Sequence, residues 1–347
     1  KNLPAIGNLK QPVHAWGEIY TGISAKDYMD GTSNFYGVHS VTLYVDSVQV
    51  FNSTTDKVLP DENRMINGFT DYEELTRTRR LIMRSYKLPG NRLRLLHTNE
   101  NRGVVTIDEE RDYHFRYVLE DNFGNRRTYQ FTVKGKRQDI PEYKPEANEM
   151  LYWNRTNVIQ KPGMELVVPR YYVYEDVPLR TDMRGDSSHI AFDYILDAGR
   201  TPIHSYCDLS IGLRHMPVAD TTKYYIVQKA GKWRSSMGGK YANGWIKTRV
   251  RSLGTFSVDV DTIAPQITPI GQGGWRTSRN IRFRIKDMES GIESYKVYID
   301  GKFVLFGLKK GILVIQDPEK VKKGVPHKLE VTVTDQCGNM ARKEYKF

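Results

Sequence analysis

Cysteine is nearly absent from this chain: 347 residues contain two, Cys207 and Cys337, far apart in the sequence. That excludes a disulfide scaffold and a four-thiolate zinc ribbon, both of which need cysteines in closely spaced sets. No segment approaches the roughly 20 consecutive apolar residues of a membrane-spanning helix. The eight histidines, His14, His39, His97, His114, His189, His204, His215 and His327, form neither His-x-His nor His-Glu-x-x-His, the short spacings that bring imidazoles onto one metal. Equally missing are Gly-x-Ser-x-Gly and a phosphate loop ending in Gly-Lys-Ser/Thr. Gly271-Gln272-Gly273-Gly274 lacks the strand, helix and spacing of a dinucleotide loop.

What the chain does have is positive charge and aromatic residues. Fifty-two Lys and Arg against 41 Asp and Glu leave a net charge of +11, which favours association with anionic surfaces and says nothing of fold. Without a helix-turn-helix, zinc finger or single-strand stacking platform, nucleic acid is not the expected partner. Anionic glycans, lipid headgroups and cell-wall polymers suit a basic chain equally well. The 22 tyrosines against 12 phenylalanines suit half-wetted sheet faces.

Alternation of apolar and polar residues is the strongest pattern, and it is written twice. Leu329, Val331 and Val333 lead to Asp335-Gln336-Cys337-Gly338-Asn339, and a second alternating run ends on Tyr345 and Phe347. Phe115, Tyr117 and Leu119 lead likewise to Asp121-Asn122-Phe123-Gly124-Asn125, with Tyr129, Phe131 and Val133 after it. A period of two broken by Asp, Gly and Asn specifies an antiparallel hairpin. A second pair of blocks, Gly37 to Asp46 and Gly291 to Asp300, matches in the same order, so the chain carries a repeated domain. Cys337 stands where Phe123 stands, which predicts a buried small hydrophobe rather than a reactive thiol.

In order along the chain, residues 1–137 read as one immunoglobulin-like β-sandwich, interrupted by an insertion at about residues 60–105. Thr70-Asp71-Tyr72-Glu73 has the form of a capping box and predicts a helix of about four turns, closed by Pro89-Gly90. Arg77, Arg79, Arg80 and Arg84 fall on its outer face, followed by Lys87, Arg92 and Arg94. They are a candidate docking patch for an anionic partner, although a solvated helix face with cations near its C-terminus accounts for them as simply. Pro141 and Pro145 mark a linker, residues 149–262 read as a second, different sandwich, and Asp261 to Pro265 forms a second joint. Residues 266–347 repeat the first domain without its insertion. The expected fold is therefore mainly β: three tandem immunoglobulin-like sandwiches.

Candidate chemistry is sparse. His204, Cys207 and His215 form the nearest cluster of ligand-type residues, and an enzyme of unrecognised type in the middle domain would be built on His204, Asp208 and His215. The carboxylates Asp108-Glu109-Glu110, Asp193 with Asp197, and the Asp27 to Asp30 loop are weak candidates for glycosidase or calcium chemistry. Of the five tryptophans, Trp16, Trp153, Trp233, Trp245 and Trp275, most read as core. Trp233, in a run rich in Gly and Ser, reads as carried by a loop and is the candidate ligand contact.

The repeated Asp-x-x-Gly-Asn turns and the segment Asp287 to Gly301 resemble immunoglobulin-like modules of exported bacterial proteins. More narrowly, Gln11 to Gly17, Asp30-Gly31, Pro89-Gly90-Asn91-Arg92 and Gly324-Val325-Pro326-His327 are similar to the tail that follows the catalytic domain in lysostaphin-type zinc metallopeptidases. That resemblance implies a parent protein cleaving peptidoglycan cross-links, exported to the periplasm or cell surface. Zinc is expected only in a catalytic domain outside this chain, with no cofactor here. The family's His-x-His element matches no position, so no catalytic or metal residue carries over. The implied partners are that upstream catalytic domain and peptidoglycan or another anionic envelope polymer. The alternative is a carbohydrate-binding or adhesion module of a glycan-utilisation system.

Overall fold

The structure, a computed structural model, describes residues 13–28, 34–142, 144–186 and 188–347. Gln11-Pro12, Asp30-Gly31 and the calcium reading of the Asp27 to Asp30 loop lie outside the described residues. The chain is mainly β and folds as tandem β-sandwich bodies, each with its own buried apolar cluster.

In the third body one sheet runs in the order Lys302–Phe303, Ile292–Ile299, Lys328–Asp335, Met340–Lys346, and the other joins Gln266–Ile270, Arg282–Lys286, Ile312–Ile315 and Phe306–Lys309. Alternation decides which side chains meet. Leu329, Val331 and Val333 point inward and are fully buried, against Phe283, Leu313 and Trp275 from the facing layer. The Trp275 indole N–H donates to the Ile270 carbonyl at 2.9 Å, which satisfies the one polar atom this large side chain brings into the core.

The first body repeats this hairpin in register. Leu43 faces Tyr117 and Val297 faces Val331, the same pair displaced by the offsets that separate the sequence blocks. The turns after these strands also agree. Asp46 and Ser47 have φ of 49° and 69°, and Asp300 and Gly301 have 51° and 77°, the doubly left-handed geometry of a two-residue hairpin turn. The other layer diverges. Where the third body has a four-stranded sheet, the first has short pairs, Gly17–Ile19 with Val105–Ile107 and Gly22–Ile23 with Met83–Arg84. Its opening strand Val13–Ala15 instead lies parallel against Arg126–Gly135.

The insertion departs from the sequence expectation. Its main helix, Tyr72–Thr78, has seven residues rather than four turns, and the N-cap is Asp71, whose carboxylate accepts from the Glu74 N–H at 3.1 Å. Thr70 is instead buried, in an isolated bridge to Met83. The helix stops because Arg79 takes a left-handed conformation, with φ of 66°, and Met83–Arg84 is drawn into pairing with Gly22–Ile23. Tertiary strand pairing thus overrides a helical period. Arg84 is consequently not a helix residue.

The middle body packs a six-stranded sheet, ordered Glu149–Leu151, Val177–Arg184, Asp193–Asp197, Gly254–Val260, Tyr224–Ala230, Trp233–Ser236, on a five-stranded one. The second comprises Asn157–Lys161, Met164–Val168, Cys207–Gly212, Trp245–Val250 and Lys240–Ala242. Leu166, Leu209, Ile246, Leu196, Ile226 and Phe256 are fully buried between them.

One titratable group closes the third body. The His327 ring is buried, with Nδ1 2.6 Å from Asp300 Oδ2 and Nε2 2.8 Å from the Lys322 carbonyl. Burial works against its charged form, but the Asp300 carboxylate and that carbonyl outweigh it and raise its pKa. A raised histidine adds stability in full below its unfolded value of about 6.5, and loses it as pH rises through the higher folded value. The melting temperature of the third body is therefore expected to fall as pH rises above about 6.5, and His327→Gln to flatten that slope. An unchanged slope in the variant refutes the assignment.

Candidate functional site

The residues with chemical potential gather at the two junctions between the bodies. At the first junction Tyr174, from the loop before Val177–Arg184, leaves the middle body and enters the core of the first, where it is 3% exposed. Its hydroxyl donates to the Arg64 carbonyl at 2.8 Å and lies 3.0 Å from His204 Nδ1. Its carbonyl accepts from the Gly90 N–H at 2.7 Å. Gly68 and Gly90 make the fit possible: a Cβ at either would lie 2.8 Å and 3.0 Å from Tyr174 atoms. Arg64 donates to the Ile203 carbonyl at 3.1 Å, Arg92 stacks on Tyr171 at 4.6 Å, and Arg84 lies 3.9 Å from Glu175.

The insertion is therefore built against the middle body, which changes the meaning of its arginines. Arg84 and Arg92 face that body, Arg94 pairs with Glu62 at 2.6 Å, and Arg77 pairs with Glu74. Arg77, Arg79 and Arg80 remain exposed on the short helix and at its end. The His204, Asp208 and His215 arrangement is not assembled. His204 packs edge-on to Tyr172 and Tyr174, and burial lowers its pKa, with Arg92 and Arg64 adding to the effect. Asp208 sits on the strand Cys207–Gly212 with its side exposed, and His215 is an exposed loop residue.

Two pairs do stand at the His-x-x-x-Asp spacing, His189 with Asp193 and His204 with Asp208, and the fold directs each residue elsewhere. His189 bonds Asp186 at 3.0 Å, while Asp193 pairs with Lys229 at 2.6 Å. Asp197 pairs with Arg180 and Glu109 with Arg111, so the carboxylates singled out by sequence hold structural partners. A surface groove of about 710 Å³ along Asn148, Met150, Tyr152, Arg155 and Val158, and another of about 380 Å³ along Arg180, Asp197, Lys229 and Thr255, include none of His204, Asp208 or His215.

At the second junction the Asp335 to Asn339 turn of the third body seats on the outer face of the six-stranded sheet. Cys337, 2% exposed, packs against Tyr225 and Val227. Lys223 Nζ donates to the Cys337 carbonyl at 3.0 Å, and Ser236 Oγ donates to Gln336 Oε1 at 2.9 Å. The turn is rigid because Asp335 Oδ1 accepts from the Cys337 and Asn339 N–H groups at 2.9 Å and 2.8 Å. Gly338, at φ of 76°, supplies the left-handed step. Burial raises the Cys337 thiol to about 11 and the Cys207 thiol to about 12. Both are buried, as the sequence reading of Cys337 requires.

Behind this turn, Asp261, Asp287 and Asp335 each place one carboxylate oxygen within 4.8 Å of the others, the one such group among the described residues. Asp261 and Asp335 are each 1% exposed. Oxygen-rich sets of this kind suit a hard divalent cation. In this structure hydrogen-bond donors occupy them: Asp261 Oδ2 takes the Ser290 N–H and hydroxyl at 3.1 Å and 2.5 Å, and Asp287 Oδ2 takes the Glu289 and Gly291 N–H groups at 3.1 Å and 2.7 Å. Burial, reinforced by Asp261, raises the Asp335 carboxyl despite its Asn339 and Cys337 donors. No local sequence signal marks this trio, because its members come from a joint, a loop and a hairpin turn.

The tryptophans divide. Trp275 is buried, Trp16, Trp153 and Trp245 are half-buried, and Trp233 is 81% exposed. Trp233 is not loop-borne. It opens the edge strand Trp233–Ser236, paired with Ala230 across a two-residue turn in which Gly231 has a φ of 59°.

Comparison with known proteins bears on the middle body. Residues 148–261 match the Zu5-like domain family. The segment that matches is the middle body, which both junctions share, sending Tyr174 one way and presenting Tyr225 and Val227 the other. No curated protein matches the chain. Among solved structures, one described as a Ca2+-stabilised adhesin with which an Antarctic bacterium binds ice is similar at 10% identity, covering 97% of this chain and 95% of that one, with a TM-score of 0.17. A Bacteroides ovatus protein, SGBP-B of a mixed-linkage glucan utilisation locus, in complex with a heptasaccharide, is similar at 10% identity, with 89% and 59% coverage and a TM-score of 0.16. Superpositions this loose carry no weight beside the geometry. No helix among the described residues is long and apolar enough to cross a membrane.

Proposed function

We propose that this chain is a non-catalytic adhesion or binding arm of a cell-surface protein, centred on the Zu5-like domain and directed at carbohydrate or another surface polymer. The observation that carries this reading is where the reactive side chains are used. His204, Asp261, Asp335 and Cys337 are all committed to fixing one body on the next, which makes a stiff arm and leaves the outer faces to binding. Trp233 is the contact to test first, since an exposed aromatic ring on a rigid strand offers a large apolar face at little entropic cost. In pull-down with insoluble peptidoglycan and with cellulose, the chain is expected to be retained on one of them, and Trp233→Ala to lose about tenfold or more in affinity. Its melting temperature should barely change, as for other surface substitutions. No retention beyond that of a basic control protein, or equal retention of the variant, removes the reading.

A second reading, the accessory tail of a peptidoglycan endopeptidase whose zinc lies in a separate catalytic domain, has one observation in its favour. Pro89-Gly90-Asn91-Arg92, among the runs that carry that resemblance, is the stretch that receives Tyr174 and Tyr171. Release of cross-linked fragments from purified sacculi by the product of the complete reading frame, and its loss on zinc removal, is the test.

A further inference from the structure

The repeat supplies a docked and an undocked copy of the same turn. In the third body, Cys337 and Ser290 are both buried at the second junction, at 2% and 0% exposed. The offsets that align the repeat place Phe123 at the position of Cys337 and Tyr36 at the position of Ser290. The two turns are built alike. Asp121 Oδ1 accepts from the Phe123 and Asn125 N–H groups at 2.7 Å and 2.9 Å, and Oδ2 from the Asn125 amide at 2.6 Å. Asp335 does the same for Cys337 and Asn339. Strand register places Tyr36 and Phe123 at one end of the first body, because Ser40 pairs with Glu120. Yet Phe123 is 93% exposed and Tyr36 is 59% exposed. An isolated exposed apolar residue is ordinary. Two aromatic rings at the two positions that the repeat assigns to an interface, on a turn already rigidified by its own carboxylate, are not.

We propose that the Phe123 turn seats on the sheet face of another β-sandwich domain that precedes the first body in the same polypeptide, as the Asp335 turn seats on the Zu5-like domain. The second junction indicates the chemistry of that face: apolar side chains on the outside of a sheet, flanked by a lysine whose ammonium reaches the turn carbonyl, as Lys223 does. Because phenylalanine replaces cysteine at the tip, the receiving face must offer a deeper apolar recess than Tyr225 and Val227 do. This inference rests on the repeat and is independent of the polymer proposed above.

The test substitutes the tip with the residue that the docked copy uses. Phe123→Cys is labelled with a maleimide in the 347-residue chain and in the product of the complete reading frame, with Tyr36→Cys as a second reporter. The buried native thiols, raised by burial, supply a low background. Both reporters are expected to label rapidly in the 347-residue chain, and about tenfold or more slowly in the longer product, as for a site opened only by local undocking. Equal rates, or a reading frame with no domain ahead of the first body, overturn the proposal. So does protection that grows with the concentration of the 347-residue chain, which assigns the turn to self-association, or protection by soluble peptidoglycan fragments, which assigns it to glycan.

Discussion

Tyr174→Ala is expected to destabilise the first body by about 3–5 kcal/mol, the cost of removing a buried aromatic ring, although the residue belongs to the middle one. The ring packs directly on Gly68, which has no side chain with which to collapse into the hole, while Gly90 abuts the Tyr174 backbone. Its loss also strands the Arg64 carbonyl and removes the partner of His204 Nδ1. Tyr174→Phe keeps the ring and loses only the hydroxyl, so it should cost about 1 kcal/mol. In calorimetry the alanine variant should show the first body melting separately from the middle one. Equal behaviour of the two variants would mean that the hydroxyl, not the plug, holds the junction.

Asp261→Ala should open the second junction. The substitution leaves the buried N–H and hydroxyl of Ser290 without an acceptor, at about 1–3 kcal/mol for each such group. Part of this is offset, because Asp335 loses a like-charged neighbour that raises its carboxyl. A net loss of about 2–4 kcal/mol is expected. The readout is alkylation of Cys337, which should accelerate by about tenfold to a thousandfold, since each ~1.4 kcal/mol is a factor of ten. Cys207, inside the core of the middle body, should stay protected and so separate undocking from unfolding. Acceleration of both thiols together would show that the Asp261 side chain supports the middle body itself rather than its contact with the third.

Both experiments address elements that sequence reading saw unevenly. The alternating runs around Leu43, Tyr117, Val297 and Val331 were legible because strand periodicity is local and each inward residue is apolar. The edge strand at Trp233 was not, since its sequence of Trp, Arg and Ser alternates nothing; what places it in the sheet is pairing with Tyr224–Ala230. The helix at Tyr72 was legible at its start and not at its end. Arg84 continues the helical period, but Gly22–Ile23, some sixty residues earlier, captures that segment as a strand. Tyr174 carried no signal at all. A tyrosine in a loop looks the same whether it is wetted or inserted into a neighbouring domain.

The sequence by itself determined the kind of body this chain builds and its duplication, because a two-residue period and an Asp-x-x-Gly-Asn turn act over a few bonds and need no knowledge of distant partners. Only the tertiary structure decided what joins those bodies. The plug at Tyr174, the seat of Cys337 and the convergence of Asp261, Asp287 and Asp335 each depend on groups brought together from remote parts of the chain, where burial and the hydrogen bonds of a second domain set the energy of every contact.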